Sequence, residues 1–390
     1  MVASKTQHPA VFFDKSGSSN RISRIQWLML LFALSLMTWS CQSPQKKSAD
    51  QTRMVKDMLG REVAVPEKTE SVVGIGPGAL RLLVYLQAQD MVVGIEELEK
   101  RSGRPYIFAQ PQLTDKPTIG PSFTGDAELI AARNPEVIFK TYTTRAEADE
   151  LQRKTGIPVI ALQYVNQTPE WHVLDSALAL MGRVLGRSAR AKALNEYYQS
   201  LIDTLTRATA NITGKEKPAV YLGGLSHRGT HGINSTSPYY EPFAFTNVHN
   251  VAATLRKKYN KNEGIMIDIE QLMVWNPEII FIDLAGKALV DKDLDEHTSF
   301  FSQIEAFRKG EIYGVHPYNW YTTNYATVLA NAWYVASVLY PAEFETVNPA
   351  QKANEIYRNF LGRGVYKAMA EEYGPYTRLS YETLTGKAGQ

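Results

Sequence analysis

At 390 residues, with 44% hydrophobic and 21% charged side chains, the chain can hold two domains with separate cores and lacks the composition of a disordered protein. The formal net charge is +2; Lys5, Lys15, Arg21 and Arg24 against Asp14 give the first 40 residues an excess of three, leaving about −1 elsewhere and no basic stripe for nucleic acid. A single cysteine, Cys41, excludes an intrachain disulfide, a Cys-ligated zinc centre and an iron–sulfur cluster.

In chain order, the first element is a targeting segment. Polar, basic residues 1–24 precede an apolar run of 13, Trp27–Trp39, which is short for a bilayer span and fits a signal-peptide h-region. Small Ser40 and then Cys41 follow, an order that resembles a bacterial lipoprotein signal, although Thr38 stands where Leu is usual. On that reading residues 1–41 are leader, Cys41 is lipidated, and residues 42–53 form a flexible polar tether. The alternative is an ordinary signal peptide, or an uncleaved anchor in which Cys41 is incidental.

A first lobe is expected over residues 54–168. Met54–Val65 reads as a hairpin around Leu59-Gly60-Arg61, Val72–Ile75 as a strand, Gly76-Pro77-Gly78 as a turn and Ala79–Leu86 as a helix. Met91–Ile95 and Ile157–Leu162 are further strands, and their alternation with helices predicts a parallel sheet covered on both faces. Residues 169–212 carry apolar residues at helical spacing without an internal proline, and predict a long connecting helix, whole or broken near its weak points, Gly182 and Gly186. The second lobe, 213–374, starts with the strand Ala219–Leu222, which enters a long polar loop, Leu225–Tyr240. Ile312–Val315 is a late strand, Tyr325–Leu339 and Pro349–Leu361 are closing helices, and 375–390 reads as a frayed tail.

An internal duplication links the lobes. Asp126-Ala-Glu128-Leu-Ile-Ala-Ala-Arg-Asn134-Pro-Glu-Val-Ile-Phe139 aligns without gaps on Asp268-Ile-Glu270-Gln-Leu-Met-Val-Trp-Asn276-Pro-Glu-Ile-Ile-Phe281, 142 residues later. Each copy reads as a short helix halted by Asn-Pro and followed by a buried strand. The fold class is therefore α/β, in two similarly built lobes.

These residues resemble a known family, the periplasmic or lipoprotein substrate-binding proteins of iron-siderophore, haem and vitamin B12 ABC importers. The resemblance rests on Asp57-Met-Leu-Gly-Arg61-Glu-Val, Val72-Val-Gly-Ile-Gly-Pro77, both Asn-Pro-Glu repeats, Ile312-Tyr-Gly-Val-His-Pro317 and Leu339-Tyr-Pro-Ala-Glu-Phe344, and covers roughly residues 54–374. It implies two Rossmann-like lobes with central parallel sheets joined by a long interdomain helix. It also implies a monomer without cofactor that delivers a small ligand to a permease dimer and its ATPase. One surface glutamate per lobe docks on the permease in this family; by position in the repeat these are Glu128 and Glu270. Helix capping by Asp126 and Asp268, with each Glu complementing a helix dipole, is the structural alternative.

Ligand is expected between the lobes, on loops at the carboxyl ends of strands. Candidate contacts are Arg81, Tyr142, Arg145 and Tyr164 in the first lobe, and His227, Arg228, His231, Tyr239, Tyr240, Trp320 and Tyr321 in the second, with Tyr318 beside them. The aromatic residues suit a bulky amphipathic chelate and the arginines an anionic one. His227 and His231, four apart, are possible metal ligands but too few for a closed site. The default ligand is an iron-siderophore complex; corrinoid, haem, a nickel complex and a molybdate-like oxyanion stay open. The rival classes are a metal-dependent enzyme and a surface interaction lipoprotein. The chain carries no G-x-S-x-G, H-E-x-x-H or P-loop motif, so no enzymatic chemistry is expected.

Overall fold

The computed structural model describes residues 51–163, 170–213, 217–259 and 264–380. Cys41, the leader and Tyr164 lie outside the described residues. The expected tether gives way to structure early, since β1 (Thr52–Lys56) pairs antiparallel with β2 (Glu62–Pro66). Between them the Asp57–Arg61 motif ties this hairpin to the first lobe. The Asp57 carboxylate accepts from the amides of Leu59, Arg61 and Ala161, and Arg61 bridges Asp57 at 2.8 Å and Asp149 at 2.7 Å. A buried pair with its remaining valences filled is a specific joint rather than a loose contact.

The first lobe is built on β3 (Val72–Ile75), β4 (Val92–Gly94), β5 (Val137–Lys140) and β6 (Val159–Ala161), all parallel in the order β4-β3-β5-β6. Around it lie α1 (Ala79–Tyr85), α2 (Pro105–Ala109), α3 (Ala127–Arg133) and α4 (Arg145–Thr155). The chain then forms α5 (Trp171–Val184) and α6 (Ser188–Thr209). In the second lobe β7 (Ala219–Gly223), β8 (Ser235–Thr236), α7 (Glu241–Phe245), β9 (His249–Asn250), β10 (Ile265–Met266), α8 (Ile269–Trp275) and β11 (Ile279–Asp283) follow. After these come α9 (Lys287–Glu296), α10 (Thr298–Phe301), α11 (Glu305–Lys309), β12 (Ile312–Val315), α12 (Tyr325–Leu339), α13 (Pro349–Leu361) and α14 (Tyr366–Tyr373). The second sheet is parallel in the order β12-β11-β7-β9, and β8 and β10 pair separately. Numbered within each lobe, both sheets have their strands in the order 2-1-3-4, so the sequence duplication is a duplication of topology.

The repeat explains its own punctuation. Asp126 caps α3 by accepting from the amides of Glu128 and Leu129, and α3 ends at Asn134 with φ +48°. The α8 copy ends at Asn276 with φ +41°. Asparagine tolerates this left-handed conformation better than most residues, which lets each chain reverse into its strand, with the proline immediately behind barring further helix.

Three expectations change. The connecting segment 169–212 is not one helix but two, broken at the second of its two glycines, because Gly186 takes φ +66° and ends α5. Trp171 at the start of α5 stacks 4.9 Å from Tyr198 in mid-α6, so the pair folds back as a hairpin. The long interdomain helix is α6 alone, 22 residues or ~33 Å at 1.5 Å per residue. It is tied to the first lobe by Arg190, whose guanidinium donates to the Tyr85 carbonyl at 2.9 Å. Asn247 of the second lobe donates to the Thr209 carbonyl at its other end.

Residues 325–374 also do not stay with the second lobe. One set of side chains on α12 (Tyr325, Leu329, Ala332, Ala336) joins the core of the first lobe, while Val328, Tyr334 and Val335 join that of the second. Helices α13 and α14 bury Ile356, Phe360 and Met369 against the first lobe. Finally, the described part of the tail, residues 375–380, packs on the molecule rather than fraying: Leu379 is buried, its amide donates to the Ile312 carbonyl, and Tyr376 stacks on Tyr334 at 4.4 Å.

Because Asp126 makes two capping bonds and Asp268 none, Asp126→Ala is expected to cost about 1 kcal/mol and Asp268→Ala a few tenths. Urea unfolding of the two variants checks the contrast.

Candidate ligand-binding cleft

The carboxyl ends of the strands in both lobes open onto one cleft with two adjoining cavities. One, of about 460 Å³, is lined by Pro77, Phe123 and Tyr142 of the first lobe and by His227, Arg228 and Tyr321 of the second. The other, of about 550 Å³, is lined by Arg101, Ser102, Thr230, Leu284, Glu372 and Tyr373. Gly229, Asn319 and Trp320 border both, so Trp320 stands as the partition.

The segment Pro317–Thr323 supplies this partition. It leaves β12 in the second lobe, yet first-lobe side chains hold it. Arg81, fully buried on α1, donates to the carbonyls of Thr323 at 2.5 Å, Tyr321 at 2.8 Å and Trp320 at 3.1 Å. The buried Arg104 guanidinium lies 4.8 Å from the Trp320 ring centre and 5.9 Å from that of Tyr321, an arrangement attractive between a cation and ring faces. Tyr321 donates its hydroxyl to Glu96 at 3.0 Å and accepts from the Phe123 amide at 3.2 Å. Tyr321 and Thr322 take φ of +52° and +66°, a backbone that side chains other than glycine resist and that these contacts impose.

The expected residues therefore separate into two groups. Tyr142, His227, Arg228, Trp320 and Tyr321 come together around the smaller cavity. Arg228 is exposed and, among the described residues, enters no ion pair; Tyr142 is 37% exposed with its hydroxyl 3.3 Å from that of Thr322. Arg81 is not on the cleft surface but behind it, its charge spent on carbonyls. Arg145 is the first residue of α4, started by the Thr144–Glu147 capping box, and donates to the Leu59 carbonyl at 2.7 Å.

Tyr239 turns away, bonding the Arg256 carbonyl with its ring under that guanidinium. Tyr240 and Tyr318 are core residues, 5.7 Å apart ring to ring. His231 places Nε2 2.8 Å from the His227 carbonyl, which occupies one imidazole nitrogen locally. Among the described residues no group of three or more His, Cys, Asp or Glu is arranged to hold a metal ion. Glu128 and Glu270 occupy the first turns of α3 and α8 and are both exposed.

Lys140, Glu96 and Arg104 escaped sequence reasoning, while Phe123 falls in a loop, Ile119–Gly125, whose place at the end of a strand puts it on the cleft. Phe123 is 51% exposed at φ +72° and packs edge-on to Tyr321 at 5.5 Å. Lys140 donates to the Phe123 carbonyl at 2.8 Å, and burial lowers its pKa. Glu96 and Arg104 lie in and beside a run of charges, Glu96-Glu-Leu-Glu-Lys-Arg101, that reads as solvated surface. The usable signal was position, since Glu96 falls just after β4 at the carboxyl edge of the sheet.

The periplasmic binding protein family model matches residues 72–318. The chain belongs to that family. Its members are solute-binding transport proteins working with ABC importers rather than enzymes, and membership implies a periplasmic location. In sequence it is similar to the molybdate-binding protein MolA of Haemophilus influenzae, 22% identical over 340 residues, covering 82% of this chain and 93% of MolA. The molybdate-bound MolA structure matches with a TM-score of 0.63 at 18% identity, covering 80% of this chain and 98% of that one.

A periplasmic solute binding protein from Veillonella parvula matches at TM-score 0.65 and 16% identity, over 86% and 99% of the two chains. The catecholate-siderophore binding protein VctP from Vibrio cholerae matches at 0.53 and 17%, over 75% and 100%. At these identities the structures establish the class III binding-protein fold. They do not carry a ligand across.

Replacing Arg81 with Met would strand three carbonyls in a dry site. The variant is expected to lose about 3 kcal/mol in urea unfolding, with amide hydrogen exchange accelerated across residues 319–323.

Proposed function

We propose that the chain captures an anionic metal chelate, with an iron-siderophore complex the first candidate, and delivers it to an ABC permease. One observation carries the reading: the smaller cavity is walled by Phe123, Tyr142, Trp320 and Tyr321 and carries a single guanidinium without an ion-pair partner among the described residues, that of Arg228. Ring faces and a cation suit a ligand with flat, apolar, negatively charged arms. The neighbouring cavity leaves room for the rest of a large complex. His227 at the rim would contact the complexed ligand rather than complete a protein metal site. The similarity to MolA favours a second reading, a compact molybdate-like oxyanion. Against it, such an ion would fill little of either cavity and needs several converging donors.

Delivery is assigned to Glu128 and Glu270. They stand at matching positions of a duplicated helix, exposed and ready to meet cationic groups on a two-fold permease. Lipidation of Cys41 would hold the carrier at the membrane. Because α12 enters the cores of both lobes and α6 is hydrogen-bonded to each at its two ends, closure around the ligand would be small.

Isothermal titration with ferric tris-catecholate and with sodium molybdate tests the cargo. The chelate should bind more tightly than the oxyanion, and Arg228→Ala should weaken it about tenfold, or ~1.4 kcal/mol; tighter molybdate binding would favour the second reading. Reversing both charges, Glu128→Lys with Glu270→Lys, should abolish cellular uptake of the chelate while its affinity is unchanged. Retained uptake would remove the docking assignment.

A further inference from the structure

We infer that Glu96 is a positioning residue for the cleft, whose ionised carboxylate pins the Tyr321–Phe123 wall, so that adding a proton slackens that wall and loosens the cargo. The last step rests on the cleft being the cargo site; the pinning itself does not.

The geometry is a chain of three links. Glu96 Oε2 accepts from the Gly76 amide at 3.0 Å in the first lobe and from the Tyr321 hydroxyl at 3.0 Å in the segment from the second. Tyr321 Oη accepts in turn from the Phe123 amide at 3.2 Å. Phe123 and Tyr321 both face the smaller cavity, so displacing Tyr321 moves two of its walls. Glu96 itself is 1% exposed and has its other oxygen, Oε1, without a partner among the described residues. Such a carboxylate is costly to keep ionised.

The groups around it do not cancel that cost. From the same turn Glu99 adds a like charge, itself faced by Arg104 at 3.6 Å and by the Tyr106 hydroxyl at 2.6 Å. From β5, the Lys140 cation lowers the Glu96 pKa, as the weakest of the influences on it among the described residues. Burial first, and Glu99 second, push Glu96 up to about 7.

The sign follows. A carboxyl whose folded pKa is raised favours the folded state when protonated, so its contribution to stability declines as pH climbs from the ordinary carboxylate range through about 7. The bond to Tyr321, by contrast, is strongest with the carboxylate ionised. Stability and wall rigidity thus have opposite pH dependence, which is the mark of a group kept for position.

The test uses ligand-free protein carrying 3-fluorotyrosine, with the Tyr321 resonance assigned by Tyr321→Phe. Its ¹⁹F shift should titrate with a midpoint near 7, and Glu96→Gln, which keeps an acceptor of the same shape, should abolish that step and make thermal stability less dependent on pH. A Tyr321 signal that stays flat in the unsubstituted protein, or titrates identically in Glu96→Gln, overturns the inference. Affinity for ferric tris-catecholate should be about tenfold weaker in Glu96→Gln at pH 8 and equal to wild type at pH 6, a comparison at each pH that cancels probe speciation. An equal ratio at both pH values overturns the cargo step. If Tyr321 titrates but neither the chelate nor molybdate binds, the pinning stands and only the cargo reading falls.

Discussion

A fully buried guanidinium governs how this molecule is assembled. Arg81 remains charged in the interior because the carbonyls of Trp320, Tyr321 and Thr323 turn onto it, with the Tyr106 ring and the Glu99 carboxyl beside it. Those bonds, with the Arg104 and Glu96 contacts, hold Tyr321 and Thr322 in left-handed conformations and bring a segment of the second lobe under the control of the first. Trp320 is thereby set between two cavities over Arg104, and Tyr321 is placed within reach of Glu96. The cleft is therefore not a gap left between two bodies. It is a surface that each lobe completes for the other, preorganised before any ligand arrives, and preorganisation removes part of the ordering cost of binding.

The same interdependence explains the rigidity expected of the clamp. The lobes share α12, α6 is hydrogen-bonded to both, and α13 and α14 run back onto the first lobe, so opening the cleft widely would expose apolar faces of both cores. A carrier of this design recognises its cargo through the shape and charge of a nearly fixed cleft. Duplicated helices bearing Glu128 and Glu270 sit on the outside of each lobe and leave the cleft-lining loops free to differ.

Much of the architecture was legible because it is locally encoded. Val72–Ile75, Ile312–Val315 and Tyr325–Leu339 are found where their patterning put them, and the Asp…Asn-Pro-Glu repeat located α3, β5, α8 and β11. The cleft was less legible, for reasons that differ by residue. Arg81 reads as a binding arginine until the segment some 240 residues away that consumes its donors is known. Tyr240 and Tyr318 lie in loops yet face a core, which no local pattern distinguishes from a binding surface. Arg145 could have been placed correctly, because Thr144 and Glu147 spell a capping box. Glu96 and Arg104 were hidden by their charged neighbours, whose solvated character is true of Glu97 and Lys100 but not of them.

The central claim is that cargo lies between the lobes against Arg228 and Trp320. Native mass spectrometry of protein purified from its own cell envelope addresses it most directly. The account predicts a non-covalent adduct with the isotope pattern of a metal chelate, lost from Arg228→Glu protein prepared in the same way. A bare polypeptide mass from the native envelope, or an adduct that survives Arg228→Glu unchanged, would contradict it.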